Sequence, residues 1–351
     1  MRYNALGNTG LIVSELCLGA MTFGTAPGGR FGHIHGLDQQ ASTALVKQAV
    51  DAGINMIDTA NVYTSGQSEE FVGGALKALG LPRGEIVVAT KGMGTMGPGP
   101  NDAGTGRKHL MDQIDASLRR LGLDHVDLYQ IHGWDPTVPM EETLEALNDI
   151  VRSGRARYIG VSNWAAWQIA KALGISERRG WAKYISLQAY YTVAGRDLER
   201  EIAPMLLSEK LGLMVWSPLA GGLLSGKYRF GADGTEGEGR RANFDFPPVD
   251  LGRAGPLVEA MRAMGERRGV SVAQIALAWL LYQPVVSTVI VGAKRADQLA
   301  DNIASCDVEL SQAEMDELAG LSALPPEYPG WMLETQGRYV ADKISARRQP
   351  S

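Results

Sequence analysis

The chain has 351 residues, 45% of them apolar and 21% charged, with a net charge of −5, the make-up of a globular protein able to bury a sizeable core. The acidic balance excludes a sequence-independent grip on nucleic acid or anionic lipid, and no apolar run reaches the ~18 residues a membrane-spanning helix needs. Two cysteines, Cys17 and Cys306, are too few for a disulfide framework or a thiolate metal cage; with an amino-terminal stretch that lacks a signal peptide's apolar core, they predict a cytoplasmic protein without a metal.

Residues 1–13 read as a hairpin around Gly7-Asn8-Thr9-Gly10, a plug for the bottom of a barrel. Beyond it, short apolar runs alternate with longer amphipathic stretches: 15–18 then 38–52, 55–58 then 68–79, 86–90 then 107–121, and 126–131 then 140–153. The alternation continues as 157–161 then 165–173, 185–188 then 199–211, 213–216 then 256–268, and 288–291 then 297–304. The strand runs are continuously apolar, as in IVVAT and STVIV, which predicts burial on both faces of a parallel sheet. Eight strand–helix units without a composition shift predict a closed (β/α)8 barrel, one domain over 1–351, rather than a two-domain open sheet. Residues 271–281 and 311–322 are two extra helices, the second opened by a capping box of Ser311 and Glu314. Residues 323–351 read as a carboxy-terminal loop or tail. Glycine is abundant, 43 residues, and it concentrates in long loops at 22–37, 92–106 and 228–250, all expected at the face where barrel enzymes build their sites.

Two phosphate-binding patterns fail on inspection. Gly92-Met-Gly-Thr-Met-Gly97 follows a strand, but Pro98 and Pro100 prevent the helix that a dinucleotide fingerprint requires, so a mobile loop is expected. Gly221-Gly-Leu-Leu-Ser-Gly226-Lys227 has Tyr228 where a P-loop places the Ser or Thr that holds Mg²⁺. His33 and His35 have a metal-compatible spacing without the accompanying carboxylates or cysteines.

Polar residues at strand ends are more informative. Asp58 ends strand two with Tyr63 in the loop behind it, Lys91 ends strand three, and His132 ends strand four. An ionisable group at the end of a buried parallel strand needs a partner, and neighbouring strands of a barrel converge there.

The segments GINMIDTANVY, ATKG and QIHGWD, with SGRARYIGVSNW, VWSPLAGGLLSGKY and VIVGAKRADQLADN, resemble the aldo-keto reductase family over nearly the whole chain. The wording YQIHGWDP and PPEYPGWM is most similar to its bacterial aryl-alcohol, sugar-aldehyde and general carbonyl reductases. The resemblance implies a tetrad of Asp58, Tyr63, Lys91 and His132 and reversible reduction of aldehydes, ketones or sugars with NADPH rather than NADH. It also implies that Ser162, Asn163 and Gln188 hold the carboxamide and that Trp216 stacks on the nicotinamide. Ser217, Pro218, Leu219, Gly221 and Lys227 would meet the pyrophosphate, and Gly292, Lys294, Gln298, Asp301 and Asn302 the adenosine end, with Arg295 a second cation for the 2′-phosphate. Phe23, Trp134 and Trp331 are candidate pocket walls.

Within that tetrad the Lys91 ammonium is expected to favour the Tyr63 phenolate, by up to about 4 kcal/mol at ~4 Å and an effective dielectric of ~20. Lys91 would thereby lower the phenol's pKa, while Asp58 holds Lys91 in place. The alternative is an NADPH-binding sensor with little turnover, as in the channel-associated β subunits that share the barrel.

Overall fold

A computed structural model of the chain describes residues 1–25, 36–231, 234–236, 241 and 244–341; His33 and His35 lie outside these. The hairpin is present: β1 (Tyr3–Ala5) pairs antiparallel with β2 (Ile12–Ser14). Eight parallel strands then close into a barrel: β3 (Leu16–Gly19), β4 (Met56–Asp58), β5 (Val87–Gly92), β6 (Val126–Ile131), β7 (Ala156–Ser162), β8 (Tyr184–Tyr190), β9 (Gly212–Trp216) and β12 (Val286–Val291). Closure is made by β12, which pairs with β9 on one side and β3 on the other. The remaining pair, β10 (Arg229–Gly231) and β11 (Gly234–Glu236), is a small hairpin inside the long loop after β9.

Because side chains alternate along a strand, every second residue faces the barrel axis. Cys17, Met56, Ala89, Leu128 and Met214 form an apolar layer inside, and Leu6 and Val13 of the amino-terminal hairpin join the same cluster from below. The plug therefore seals the lower end with apolar side chains. Gly7 lets it approach closely: at φ +63° a Cβ there would sit 2.4 Å from the Ile185 carbonyl oxygen. The outward residues of the same strands belong to a larger core shared with the helices.

The surrounding helices are α1 (Gln39–Asp51), α2 (Gln67–Ala78), α3 (Arg107–Leu121), α4 (Met140–Arg152), α5 (Ala166–Arg179), α6 (Ile202–Glu209), α7 (Leu251–Arg268) and α9 (Ala296–Ala304). The two extra helices are α8 (Val272–Leu281) and α10 (Gln312–Leu321). Several boundaries differ from the pattern-based reading. Helix α5 runs past Gly174, whose position has open space, to a left-handed cap at Gly180; one glycine costs only about 1 kcal/mol in a helix interior. Helix α7 starts five residues before Pro256 because the Asp250 side chain accepts from the N–H groups of Gly252 and Arg253, a cap that Pro256 does not provide. The expected 199–211 helix is instead a short turn at Asp197–Glu199 followed by α6. The tail reading is corrected too: Gly330–Ala341 is helical (α11), opened by the Pro329 carbonyl, which accepts from the Met332 and Leu333 N–H groups.

The capping box at α10 forms as expected, with the Ser311 hydroxyl accepting from the Glu314 N–H and the Glu314 carboxylate accepting from the Ser311 N–H. Arg268 adds two bonds to that carboxylate, at 3.0 and 2.6 Å. The Arg268 guanidinium, with smaller help from the cap, lowers the Glu314 pKa to about 2. A depressed carboxylate contributes stability above its unfolded pKa of about 4.3, and loses it as the pH falls toward about 2. Glu314→Gln is expected to cost about 1 kcal/mol at pH 6, screened by the water around the pair. The cost should vanish near pH 2, as read from urea unfolding midpoints.

Candidate active site

The apolar layer inside the barrel gives way one step up to a polar one. Asp58 lies two residues beyond Met56, Lys91 two beyond Ala89, and Gln130 two beyond Leu128, so the same strand face that carries the floor carries these groups. All three are buried. The Lys91 ammonium donates to Asp58 Oδ2 at 2.5 Å, to the Thr59 carbonyl at 2.8 Å and to Tyr63 Oη at 3.4 Å. The second Asp58 oxygen accepts from the amides of Gln130 (3.0 Å) and Gln188 (2.9 Å). His132 follows β6, its backbone N–H bonded to the Gly92 carbonyl, and its ring meets that of Tyr63 edge-on at 5.6 Å. The structure thus brings all four strand-end candidates together.

Burial is the largest influence on the Tyr63 phenol and raises it above its ordinary value; the Lys91 ammonium opposes this only in part. The expectation that Lys91 would leave the phenol with a lowered pKa is therefore corrected, because desolvation of a buried phenolate outweighs one nearby cation. For Lys91, burial pulls the pKa down most strongly, yet Asp58 and Tyr63 together more than restore it, and the ammonium stays charged.

Gln130 escaped the sequence reading. Its signal was its parity: it stands two residues before His132 on β6, in step with Val126 and Leu128 and out of step with Asp127, which points it inward beside the tetrad. Gln188, expected to hold a carboxamide, spends its amide N–H₂ on Asp58 and on Gln130 Oε1.

The other side of the mouth is built from left-handed backbone. Asn163 (φ 58°), Ser217 (51°), Ala220 (49°), Gly221 (68°) and Gly222 (96°) follow β7 and β9. The Asn163 amide donates to the His132 carbonyl and to Ser162 Oγ, and its oxygen accepts from the Trp216 indole N–H at 3.1 Å. Trp216 contacts Tyr190, tilted at 5.2 Å, and Phe246, stacked at 5.9 Å and 10°. Phe246 was not foreseen, since it sits far along a glycine-rich loop that carries no strand-end signal. Ser217 Oγ accepts from the Gly221 N–H at 3.0 Å, with Pro218 and Leu219 between them. The Lys227 ammonium lies 3.8 Å from where a Gly222 Cβ would be. This is a cradle with a cation at its edge.

Beyond β12, Gly292 leads to Lys294, whose backbone N–H donates to Gln298 Oε1 at 3.0 Å. Arg295 is held in a two-bond fork by Asp297, and Asp301 is bonded to Ser271 and Gln274 at the start of α8. Asn302 is buried nearby on α9. The candidate walls disperse. Phe23 is wholly buried in the outer core, and Trp134 packs edge-on against Trp164 and Trp167. Trp331 is half exposed on α11 against Tyr328. Among the described residues no group of three or more His, Cys, Asp or Glu is arranged to hold a metal ion, and no helix is long and apolar enough to cross a membrane.

A barrel with this cluster at its mouth defines a class of carbonyl-handling oxidoreductases. Residues 15–323 match the profile of the aldo/keto reductase family, and the chain belongs to that family, whose members act on carbonyl compounds and generally use NAD(P)H. It is 36% identical to versiconal hemiacetal acetate reductase of Aspergillus parasiticus over 91% of this chain and 96% of that protein. It is 34% identical to a putative aryl-alcohol dehydrogenase of Schizosaccharomyces pombe, over 90% and 94% of the two chains. A probable voltage-gated potassium channel subunit beta of Oryza sativa subsp. japonica is 38% identical, over 88% and 92%.

Proposed function

We propose that the protein is a cytoplasmic, NADPH-dependent reductase that converts small aldehydes, ketones or sugars to alcohols reversibly, with Tyr63 as the proton donor. The observation that carries this reading is the buried Lys91 ammonium, held at 2.5 Å by Asp58 and directed at Tyr63 Oη from 3.4 Å. When bound, a reduced nicotinamide would supply the hydride. Control of charge and proton falls to the chain.

Reduction develops negative charge on the carbonyl oxygen, and catalysis requires a donor placed for that moment. Tyr63, kept protonated by burial, holds the proton at Oη. Lys91 stabilises the phenolate left behind, and Asp58, itself held by Gln130 and Gln188, keeps Lys91 in register. His132, edge-on to the phenol, orients the carbonyl oxygen. The residues on the far side of the mouth suit a dinucleotide. Trp216 offers a ring face, Ser162 and Asn163 offer polar groups beside it, and Lys227 lies over the glycine turn of Gly221 and Gly222 for a pyrophosphate. Lys294, just past Gly292 beyond β12, is the cation assigned to a 2′-phosphate, with Arg295, held by Asp297 in a two-bond fork, as the second.

Lys294→Ala is expected to weaken NADPH binding about tenfold, the worth of one charge-assisted bond at an exposed position, and to leave NADH unchanged. Fluorescence titration with both cofactors checks this; equal losses for the two would remove Lys294 from the phosphate site. A second reading is favoured by the relatives named as channel β subunits: a cofactor-binding subunit with little turnover. NADPH consumption across a panel of aromatic aldehydes, ketones and sugars separates the two, since tight binding without turnover on every substrate would favour the subunit.

A further inference from the structure

Tyr63 and Lys91 reach the mouth on different segments, and the two segments meet again outside the barrel. Tyr63 opens the short turn Tyr63–Gly66, in which Thr64, Ser65 and Gly66 take φ values of 48°, 55° and 98°. Consecutive left-handed residues that carry a Cβ persist only where their surroundings enforce them, and this turn is clamped at both ends. The Thr64 hydroxyl donates to the Phe23 carbonyl at 2.9 Å, and a Cβ on Gly24 would lie 2.6 Å from Thr64. At the other end Gly66 lies so close to the Arg120 stem that a Cβ would sit 2.7 Å from its Cδ.

Arg120 is fixed in turn by Glu69, which is completely buried. Glu69 Oε2 accepts from Arg120 Nε at 2.6 Å, and Oε1 accepts from the Thr90 hydroxyl at 2.5 Å. Thr90 immediately precedes Lys91 and faces the opposite side of β5. One carboxylate therefore ties helix α2, helix α3 and the strand that presents Lys91. The ammonium itself is fixed by its two shorter bonds, to Asp58 and Thr59. Its longer reach to Tyr63 depends on where the turn sits relative to β5.

We propose that Glu69 and Arg120 are a positioning pair that sets the separation of Lys91 and Tyr63 by bracing the Tyr63–Gly66 turn against β5. The proposal rests on the reductase reading of the site, and neither residue touches a reacting atom. Displacing a proton donor by a fraction of an ångström to one ångström lowers turnover without abolishing binding.

The test is the double variant Glu69→Gln/Arg120→Ala beside Arg120→Lys. The double variant removes both charges together, so no buried carboxylate is left unpaired, and it removes the stem that braces Gly66. The kcat for carbonyl reduction is expected to fall about 10- to 100-fold, with the carbonyl KM and the cofactor Kd within about threefold of wild type. Arg120→Lys keeps stem and charge and is expected to retain kcat within about threefold. A crystal structure of the double variant should show Lys91 Nζ and Tyr63 Oη farther apart than 3.4 Å. An unchanged kcat or an unchanged separation overturns the proposal, as does a fall in kcat matched by an equal loss of cofactor affinity, the pattern of general loosening. A wild type that reduces no carbonyl compound sinks the reductase reading instead, and the separation in the double variant still decides the positioning claim.

Discussion

Tyr63→Phe is expected to lower the turnover of carbonyl reduction by about 10²- to 10⁴-fold, the usual worth of a positioned general acid, while cofactor affinity stays at the wild-type value. The substitution removes one oxygen from a buried ring, and Lys91 keeps its bonds to Asp58 and to the Thr59 carbonyl, so the fold has little reason to change. The wild-type pH profile follows from the same burial. A phenol raised above its ordinary pKa of about 10 stays protonated across neutral pH, and reduction should be flat there and decline only beyond that value. Oxidation of the alcohol needs the phenolate and should climb with pH over the same interval. Linkage has the matching sign: the folded state favours the neutral phenol, so this group's contribution to stability is intact below pH about 10 and is lost as the pH rises through the shifted value. Removal of the His132 ring should cost less than loss of the Tyr63 hydroxyl, because it leaves the proton donor in place. Wild-type turnover in Tyr63→Phe would refute the assignment of the donor.

Lys91→Met is expected to damage both activity and stability. Lys91 is wholly inaccessible and Asp58 nearly so, and removing one member of a buried pair leaves the other charge uncompensated, at a cost of about 3–5 kcal/mol. The Gln130 and Gln188 amides soften that cost, since both still donate to Asp58. Asp58→Asn alone has the mirror problem of a buried ammonium. The double variant Lys91→Met/Asp58→Asn should recover most of the stability lost by Lys91→Met, as measured by thermal unfolding, yet remain as inactive as the single variant. That split separates the pair's role in holding the fold from its role in charge control at Tyr63. If the double variant were no more stable than the single one, buried charge would not be the source of the loss.

The sequence alone determined the order of strands and helices, because the apolar runs of a parallel sheet buried on both faces stand out against the three-and-four spacing of the outer helices. It also picked out four of the polar residues at the mouth. Asp58, Lys91 and His132 stand at or beside the ends of consecutive apolar strands, where an ionisable residue is conspicuous, and Tyr63 lies in the loop directly behind Asp58. Helix ends were legible where a side chain announces them, as at Ser311. They were misread at Pro256, where a stronger cap six residues upstream, Asp250, prevailed.

Only the tertiary structure decided which partners the polar groups take and what burial does to them. Gln130 and Gln188 reach Asp58 from β6 and β8, 72 and 130 residues away in the chain. Glu69 joins Thr90 to Arg120 across 21 and 51 residues, and Phe246 reaches Trp216 from a loop. The direction of the Tyr63 shift belongs with these. A neighbouring cation can be read from strand order, but desolvation depends on how completely the closed barrel excludes water, a property of the assembled volume and not of any local stretch of chain.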